Sequence, residues 1–318
     1  MIHTLTLNPS VDYIVGLENV EIGALNRTAY EAKFPGGKGI NVSRVLKRIG
    51  VNSHAIAFIG GFTGNYIEEY LQKEGIKTNF IKVEEDTRIN IKIKTDKETE
   101  INGNGPTITD DNWLALQKKI SELSRGDLLV LAGSIPSTMP DTTYEKLVKI
   151  CSDNGASFVV DAEGDLLKKV LPYKPFLIKP NHHELGELFN TSFSDVEEVV
   201  PYGQRLISMG AENVIVSLAG KGAVLITKDE AYVASVPTGE VKSSVGAGDS
   251  LVAGFLAAFE KEKDIVKAFR YSVASGSATA FSIGLCSKEK VEELLPYVSI
   301  RLLKKGENKI ESNGIVNK

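Results

Sequence analysis

The chain has 318 residues, enough for one large α/β domain or for a core domain with a smaller companion. Hydrophobic residues make up 42% and charged residues 25%, the composition of an ordinary soluble protein. A net charge of −4 gives no bulk attraction to nucleic acid or to an anionic membrane, so any anionic ligand must be held by local basic groups.

The opening segment, Met1 to Pro9, lacks a basic region followed by a long apolar one and reads as a first core strand, Thr4–Leu7. No stretch approaches the ~18 consecutive apolar residues of a membrane span. Cys151 and Cys286 lack C-x-x-C spacing and read as buried apolar side chains in a reducing compartment. Of four histidines, His182 and His183 are adjacent, without a third ligand at metal-site spacing. A cytoplasmic protein is expected.

Just after the first strand comes Asn8-Pro9-Ser10-Val11-Asp12. Open α/β sheets bind ligands beyond the carboxyl ends of their strands, and a carboxylate there can accept from two neighbouring sugar hydroxyls. A turn or capping residue is an equal reading of Asp12 taken alone. Residues of about 10–34 then show strand alternation without a helix.

The first glycine cluster follows, Pro35-Gly36-Gly37-Lys38-Gly39-Ile40-Asn41. Val42, Val45, Leu46 and Ile49 continue it at helical spacing. Glycines let a ligand approach the backbone, and the helix start adds N–H donors and the positive end of its dipole. Lys38 and Asn41 can then contact the ligand. The string is not G-x4-G-K-[ST], so a P-loop is excluded.

Further strands are expected at Ala55–Ile59, Leu128–Leu131, Phe158–Val160, Phe176–Ile178, Val214–Ser217 and Ala223–Ile226, several without a polar face. Between them lie amphipathic segments at Ile40–Ile49, Asn65–Glu74, Asp111–Leu123, Thr142–Asp153 and Val196–Met209. This alternation predicts a doubly wound α/β sheet. A second excursion, about 84–105, contains Arg88-Ile89-Asn90-Ile91-Lys92-Ile93-Lys94. Its period of two sets Arg88, Asn90, Lys92 and Lys94 on one face and three isoleucines on the other. The two excursions are read as a small β lid whose isoleucine face is buried on the core or on a second subunit. Arg88, with Asn90 and Lys92 beside it, is the candidate for a phosphate already on the substrate, since its fork matches phosphate bidentately. Arg27 and Lys38 would complete that pocket. For Lys92 and Lys94, plain solvation of a sheet face is the competing reading.

At Lys179-Pro180-Asn181-His182-His183-Glu184 a strand ends and a helix begins; an amide and a carboxylate there can order water around Mg²⁺, although helix starts favour Glu for dipole reasons as well. Ser217-Leu218-Ala219-Gly220-Lys221-Gly222 reads either as a hairpin turn or as a nucleotide loop. The most informative string is Val245-Gly246-Ala247-Gly248-Asp249-Ser250, followed by the apolar run Leu251–Phe259. Small residues leave N–H groups uncovered at a helix start, and a carboxylate stands in its first turn. Those parts suit transfer of an anionic group to a hydroxyl. From about 247 to 295 the pattern is helical and suggests a closing cap. Beyond about Arg301 the chain is lysine-rich and glycine-broken, and a poorly ordered tail is expected.

In this order, the motifs resemble the ribokinase-like (PfkB) family of carbohydrate kinases over essentially the whole length. Two signatures carry the likeness, Gly36–Val45 and Val245–Ser250. Within the family, Thr6–Asp12, Pro35–Asn41, Thr87–Lys92 and Lys179–Leu185 are similar to bacterial 1-phosphofructokinases, and tagatose-6-phosphate kinases share most of the pattern. The resemblance implies a single ribokinase-like domain over 1–318: a doubly wound, mostly parallel sheet flanked by helices, with a small β-sheet lid. It further implies a homodimer through the lids and the use of ATP with Mg²⁺.

By the same resemblance Asp249 is the catalytic base and Gly246, Ala247 and Gly248 form the anion hole. Asp12, Gly36, Gly37, Asn41, Arg88 and Asn90 hold the phosphosugar, with Lys38 and Arg27 as further contacts and Ser134 nearby. Lys179, Asn181, Ser217, Gly220, Gly222 and Gly248 line the nucleotide site, and Glu184 acts on the metal through water. No catalytic role is assigned to Asp161-Ala162-Glu163-Gly164, where many relatives carry Ser or Asn at the position of Ala162. The implied reaction is phosphorylation of fructose 1-phosphate at O6. The competing readings are a tagatose-6-phosphate kinase or 6-phosphofructokinase, and, in another class, a catalytically silent sugar-phosphate sensor.

Overall fold

In the computed structural model, which describes residues 1–305, the chain opens with β1 (Ile2–Thr6) and leaves the core for β2 (Ser10–Gly16) and β3 (Tyr30–Gly36). It returns through α1 (Lys38–Arg48) to β4 (Ser53–Ile59), then runs on through α2 (Gly61–Lys73), β5 (Lys77–Thr78) and β6 (Ile81–Lys82). A second excursion forms β7 (Arg88–Lys94) and β8 (Glu98–Asn102). Alternation follows: α3 (Asp110–Ser121), β9 (Leu128–Ala132), α4 (Thr143–Asp153), β10 (Ser157–Asp161), α5 (Asp165–Val170), β11 (Leu177–Ile178), α6 (His182–Phe189), α7 (Val200–Ser208) and β12 (Val214–Ser217). The chain continues with β13 (Ala223–Ile226), β14 (Glu230–Ala234), α8 (Ala247–Glu262), α9 (Ile265–Ala280), α10 (Lys288–Leu294) and β15 (Ile300–Lys305).

The main sheet has eleven strands in the order β15-β14-β13-β12-β11-β10-β9-β1-β4-β5, with β6 also on β4. From β5 to β12 the pairings are parallel, and β12 to β15 form an antiparallel edge. In β9, Leu129 and Leu131 enter one core while Val130 and Ala132 enter the other. That two-sided burial is why the strand reads as an unbroken apolar run. Helices α3 to α7 cover the first face; α1, α8, α9 and α10 cover the second. The expected closing cap is therefore a full layer of the sandwich, because α8 is buried along most of its length. Among the described residues no helix is long and apolar enough to cross a membrane.

The chain passes from β1 to β4 on one side and later places β9 on the other, so β1 and β9 flank a topological switch point. The loops after β1, β9, β10, β11 and β12 all leave from carboxyl ends there.

A four-stranded sheet, β3-β2-β7-β8, forms the lid. Its register aligns Ser10 with Arg88, and Asp12 with Asn90 and then Asn102. The expected wet and dry faces of β7 are interchanged in the single chain. Asn90 and Lys92 are only 8% and 7% exposed, whereas Ile89 and Ile101 are 42% and 54% exposed. Period two assigns residues to faces but not faces to solvent; hydrogen bonds to Asn90 and the ion pair of Lys92 with Glu100 (2.8 Å) make the polar side the enclosed one. The first residues beyond Arg301, expected as loose tail, continue β15 and pair with β14 through Leu302, Lys304 and Lys305. The remainder of that expectation lies outside the described residues.

Candidate active site

Helix α8 starts behind Gly246, which adopts φ 76°, a left-handed conformation that favours glycine, and no side chain caps it. The N–H of Ala247 donates to the Ser244 carbonyl at 3.2 Å. Gly246 and Gly248 find no such acceptor among the described residues, so they are the freer donors of the expected three. Asp249 is 5% exposed in the first turn. Asn41, in the first turn of α1, donates its side-chain amide to Asp249 Oδ2 at 2.9 Å.

Burial is the largest influence on Asp249 and, with the nearby Asp161 carboxylate, pushes its pKa up to about 6. The Asn41 hydrogen bond and the ammonium groups of Lys38 and Lys179 act in the opposite sense. A helix start by itself favours the ionised acid; desolvation outweighs it here, and the group is poised near neutrality, where a general base is most effective.

Asp161, at the carboxyl end of β10, is given no catalytic role by the sequence, yet two lysine ammonium groups converge on it. Its Oδ1 lies 3.5 Å from Lys38 Nζ and 3.4 Å from Lys179 Nζ, and it has no hydrogen-bond partner although buried. Glu163 adds a second carboxylate 3.6 Å from Lys38. Burial works against the charge of Lys38, but Asp161, Asp249, Glu163 and Glu184 together outweigh it and hold its pKa above the ordinary value. Lys179 also stands beside Gly248, whose missing side chain would lie 3.2 Å from Nζ. No spacing signal marks Asp161; its meaning comes from two lysines, one opening α1 and one directly after β11.

Toward the lid, Asp12 Oδ1 accepts from Ser10 Oγ (2.7 Å) and from Asn90 Nδ2 (3.2 Å). Gly36 lies so close that any side chain would collide with Asp12 and Ser10. Gly37 is the N-cap of α1, again with no side-chain cap, and sets Lys38 and Asn41 on the first turn. Arg88 donates Nη1 to the Gly103 carbonyl (3.0 Å) and Nη2 to that of Asn8 (2.9 Å), leaving Nε buried without a partner. Burial lowers its pKa against the pull of Asp12. Arg88 thus anchors the lid root. Ser134 is exposed after Gly133, whose carbonyl accepts from the buried Tyr144 hydroxyl at 2.8 Å. Arg27 makes no hydrogen bond or ion pair with this group among the described residues; it sits in the exposed loop joining β2 to β3, which leaves β2 at Gly16, roughly 13 Å along the strand from Asp12.

On the other side, Asn181 and Glu184 form a capping box on α6: the Asn181 side chain accepts from the Glu184 N–H at 2.9 Å, and Glu184 Oε2 from the Asn181 N–H at 2.7 Å. Burial raises the Glu184 pKa, opposed by the Asn181 N–H and Lys179. Ser217 bridges Asn181 at the next strand end. Gly220 faces open space, whereas Gly222 is required by packing, because a side chain there would strike the Ala234 carbonyl. Among the described residues no three His, Cys, Asp or Glu side chains gather as a metal cage.

The family profile described as pfkB family carbohydrate kinase matches residues 6–291. The chain is 55% identical to the 1-phosphofructokinase of Bacillus subtilis over 303 residues, 95% of this chain and 100% of that protein. It is 36% identical to the D-tagatose-1-phosphate kinase of Bacillus licheniformis over 301 residues, 94% and 99% of the two chains. Among solved structures, phosphofructokinase-2 of Escherichia coli in complex with substrates and products has a TM-score of 0.89 at 27% identity, covering 93% of this chain and 98% of that one.

Proposed function

This chain belongs to the pfkB family of carbohydrate kinases, and from that premise we propose that it transfers the γ-phosphoryl of ATP to O6 of fructose 1-phosphate, giving fructose 1,6-bisphosphate and ADP. The observation that carries the reading is Asp249: a buried carboxylate in the first turn of an uncapped helix, held by Asn41 and faced by Lys38 and Lys179.

The bond between the γ-phosphorus and the bridging oxygen breaks as the bond to O6 forms, and the hydroxyl proton passes to Asp249. In a loose transition state that proton leaves late, so Asp249 chiefly orients O6 and receives the proton as it departs. The amides of Gly246 and Gly248, with Lys38 and Lys179, face the migrating PO₃ group. A well-aimed donor of this kind supplies about 2.7–4 kcal/mol. Asp12 and Asn90 accept and donate to sugar hydroxyls, and Arg88 faces the 1-phosphate with Gly36, Gly37 and Ser134 around it. Lys179, Asn181, Ser217 and Gly220 border the nucleotide side.

The half-buried Glu184 carboxylate, close to the Asp161 carboxylate, fits a divalent cation held mostly through water. Mg²⁺ bound with the nucleotide would neutralise charge on its β and γ oxygens.

The half-exposed isoleucines of the lid support a homodimer formed through the lids. Residues 1–318 are read as one kinase domain acting in the cytoplasm, where two buried free cysteines suit the redox state.

The test is ADP release with fructose 1-phosphate, tagatose 1-phosphate, fructose 6-phosphate and tagatose 6-phosphate at equal, sub-saturating concentration. Fructose 1-phosphate should give the highest kcat/KM. A preference for tagatose 1-phosphate, its C4 epimer, would reassign the sugar, and silence with all four would leave only a sensor.

A further inference from the structure

Helix α1 presents Asn41, Arg44 and Arg48 on one face, at helical spacings of three and seven. Asn41 holds the catalytic carboxylate. Arg44, almost wholly buried, donates Nε and Nη2 to the two oxygens of Glu74, at 2.9 and 3.1 Å. Arg48 shares the same carboxylate through Nη2 (3.3 Å) and turns Nη1 to the carbonyl of Leu285 at 2.5 Å, with that of Cys286 at 3.4 Å. The segment so held runs between α9 and α10. Its other tie is Thr279, which accepts from the Cys286 N–H (3.0 Å) and meets Ser250 Oγ (2.6 Å), the residue after Asp249.

Leu285 bears directly on the anion-binding turn. A side chain built on Gly246 would lie 2.6 Å from Leu285 Cδ2. The guanidinium of Arg48 therefore anchors the wall against which the left-handed Gly246 turn rests. Arg48 itself is a third exposed, and its ion pair with Glu74 is of the kind that adds little to stability. The carbonyl bond to Leu285 is the contact with consequence.

We infer that Arg48 is a positioning residue for phosphoryl transfer. It touches neither substrate; by holding Leu285 and Cys286 it fixes the Gly246 turn, and hence the amides facing the migrating PO₃ group, relative to Asp249. Glu74 orients it. This inference rests on the phosphotransfer reading above.

The test compares wild type with Arg48→Met, Arg48→Lys and Leu285→Ala, measuring kcat, both KM values, melting temperature, and affinity for ADP with and without aluminium fluoride. For Arg48→Met and Leu285→Ala, kcat is expected to fall roughly ten- to a hundredfold, a fraction of the loss of a whole anion-hole donor. Both KM values should stay within about threefold, as befits an interaction made in the transition state alone. Affinity for ADP with aluminium fluoride should drop by the same factor as kcat while ADP alone binds as before, and Arg48→Lys should recover part of the loss. Wild-type kcat in both Arg48→Met and Leu285→Ala would overturn the inference, and so would equal weakening of ADP alone. Should Arg48→Met fail to fold, Leu285→Ala carries the same comparison. A wild-type enzyme inert toward every phosphosugar would instead overturn the proposed reaction.

Discussion

Asn41 and Asp249, 208 residues apart in sequence, meet through a 2.9 Å hydrogen bond between a side-chain amide and a carboxylate oxygen. The bond joins the first turns of two helices that both begin at glycine without a side-chain cap. It brings the loop proposed to hold the sugar and the carboxylate proposed to take the proton into one rigid unit.

Replacing Asp249 by Asn keeps the shape and the acceptor for Asn41 while removing the base. Turnover should fall about 10²–10⁴-fold, with ATP affinity nearly unchanged by calorimetry. Near-normal turnover in the variant would remove Asp249 from the mechanism.

The raised Asp249 pKa also fixes a pH dependence. Below about pH 6 the carboxyl is protonated and cannot accept a proton, so kcat/KM should rise with pH through that region and level above it. For stability the sign is the reverse. The folded state holds the proton more tightly than the unfolded chain, whose value is near 3.8, so this group favours folding most at low pH. That contribution is lost as pH rises through about 6, at a cost of at most about 3 kcal/mol. Asp249→Asn should therefore melt higher than wild type at pH 7.5, with a smaller difference at pH 5.

Because the Asn41 amide lowers the Asp249 pKa, Asn41→Leu should move the acid limb of the pH–rate profile to higher pH and reduce kcat at pH 7. An unmoved limb would mean that the amide does not tune the base.

Arg88→Ala should raise the KM for the phosphosugar roughly ten- to a hundredfold, with far less change for ATP, the equivalent of one charge-assisted contact. It should also lower the melting temperature, since the carbonyls of Asn8 and Gly103 lose their donor. Parallel increases in both KM values would rule out Arg88 as the phosphate contact.

Gly36→Ala places a methyl group against Asp12 and Ser10. An increase in sugar KM of at least about tenfold is expected, equivalent to about 1.4 kcal/mol, while kcat at saturation changes less. Unaltered kinetics would show that the Asp12 carboxylate does not need its present position.

Much of this molecule is written locally. Apolar runs such as Leu128–Leu131, separated by helical spacings, specify strands covered on both faces. Glycines before Lys38 and Asp249 specify uncapped helix starts with donors to spare, because backbone freedom and capping depend on neighbours a few residues away. What spacing cannot carry is convergence. Asp161 gains its charged partners only because β10 ends beside the lysine that opens α1 and the lysine that follows β11. Gly222 answers to the Ala234 carbonyl on the adjacent strand and Arg48 to a carbonyl 237 residues away. The face of β7 that lies dry was likewise decided by partners on β2 and β8. Local sequence sets backbone geometry and helix dipoles through short-range sterics and hydrogen bonding. Burial, charge pairing and the pKa of Asp249 depend on which distant groups share a low-dielectric space, and only the packed sheet determines that.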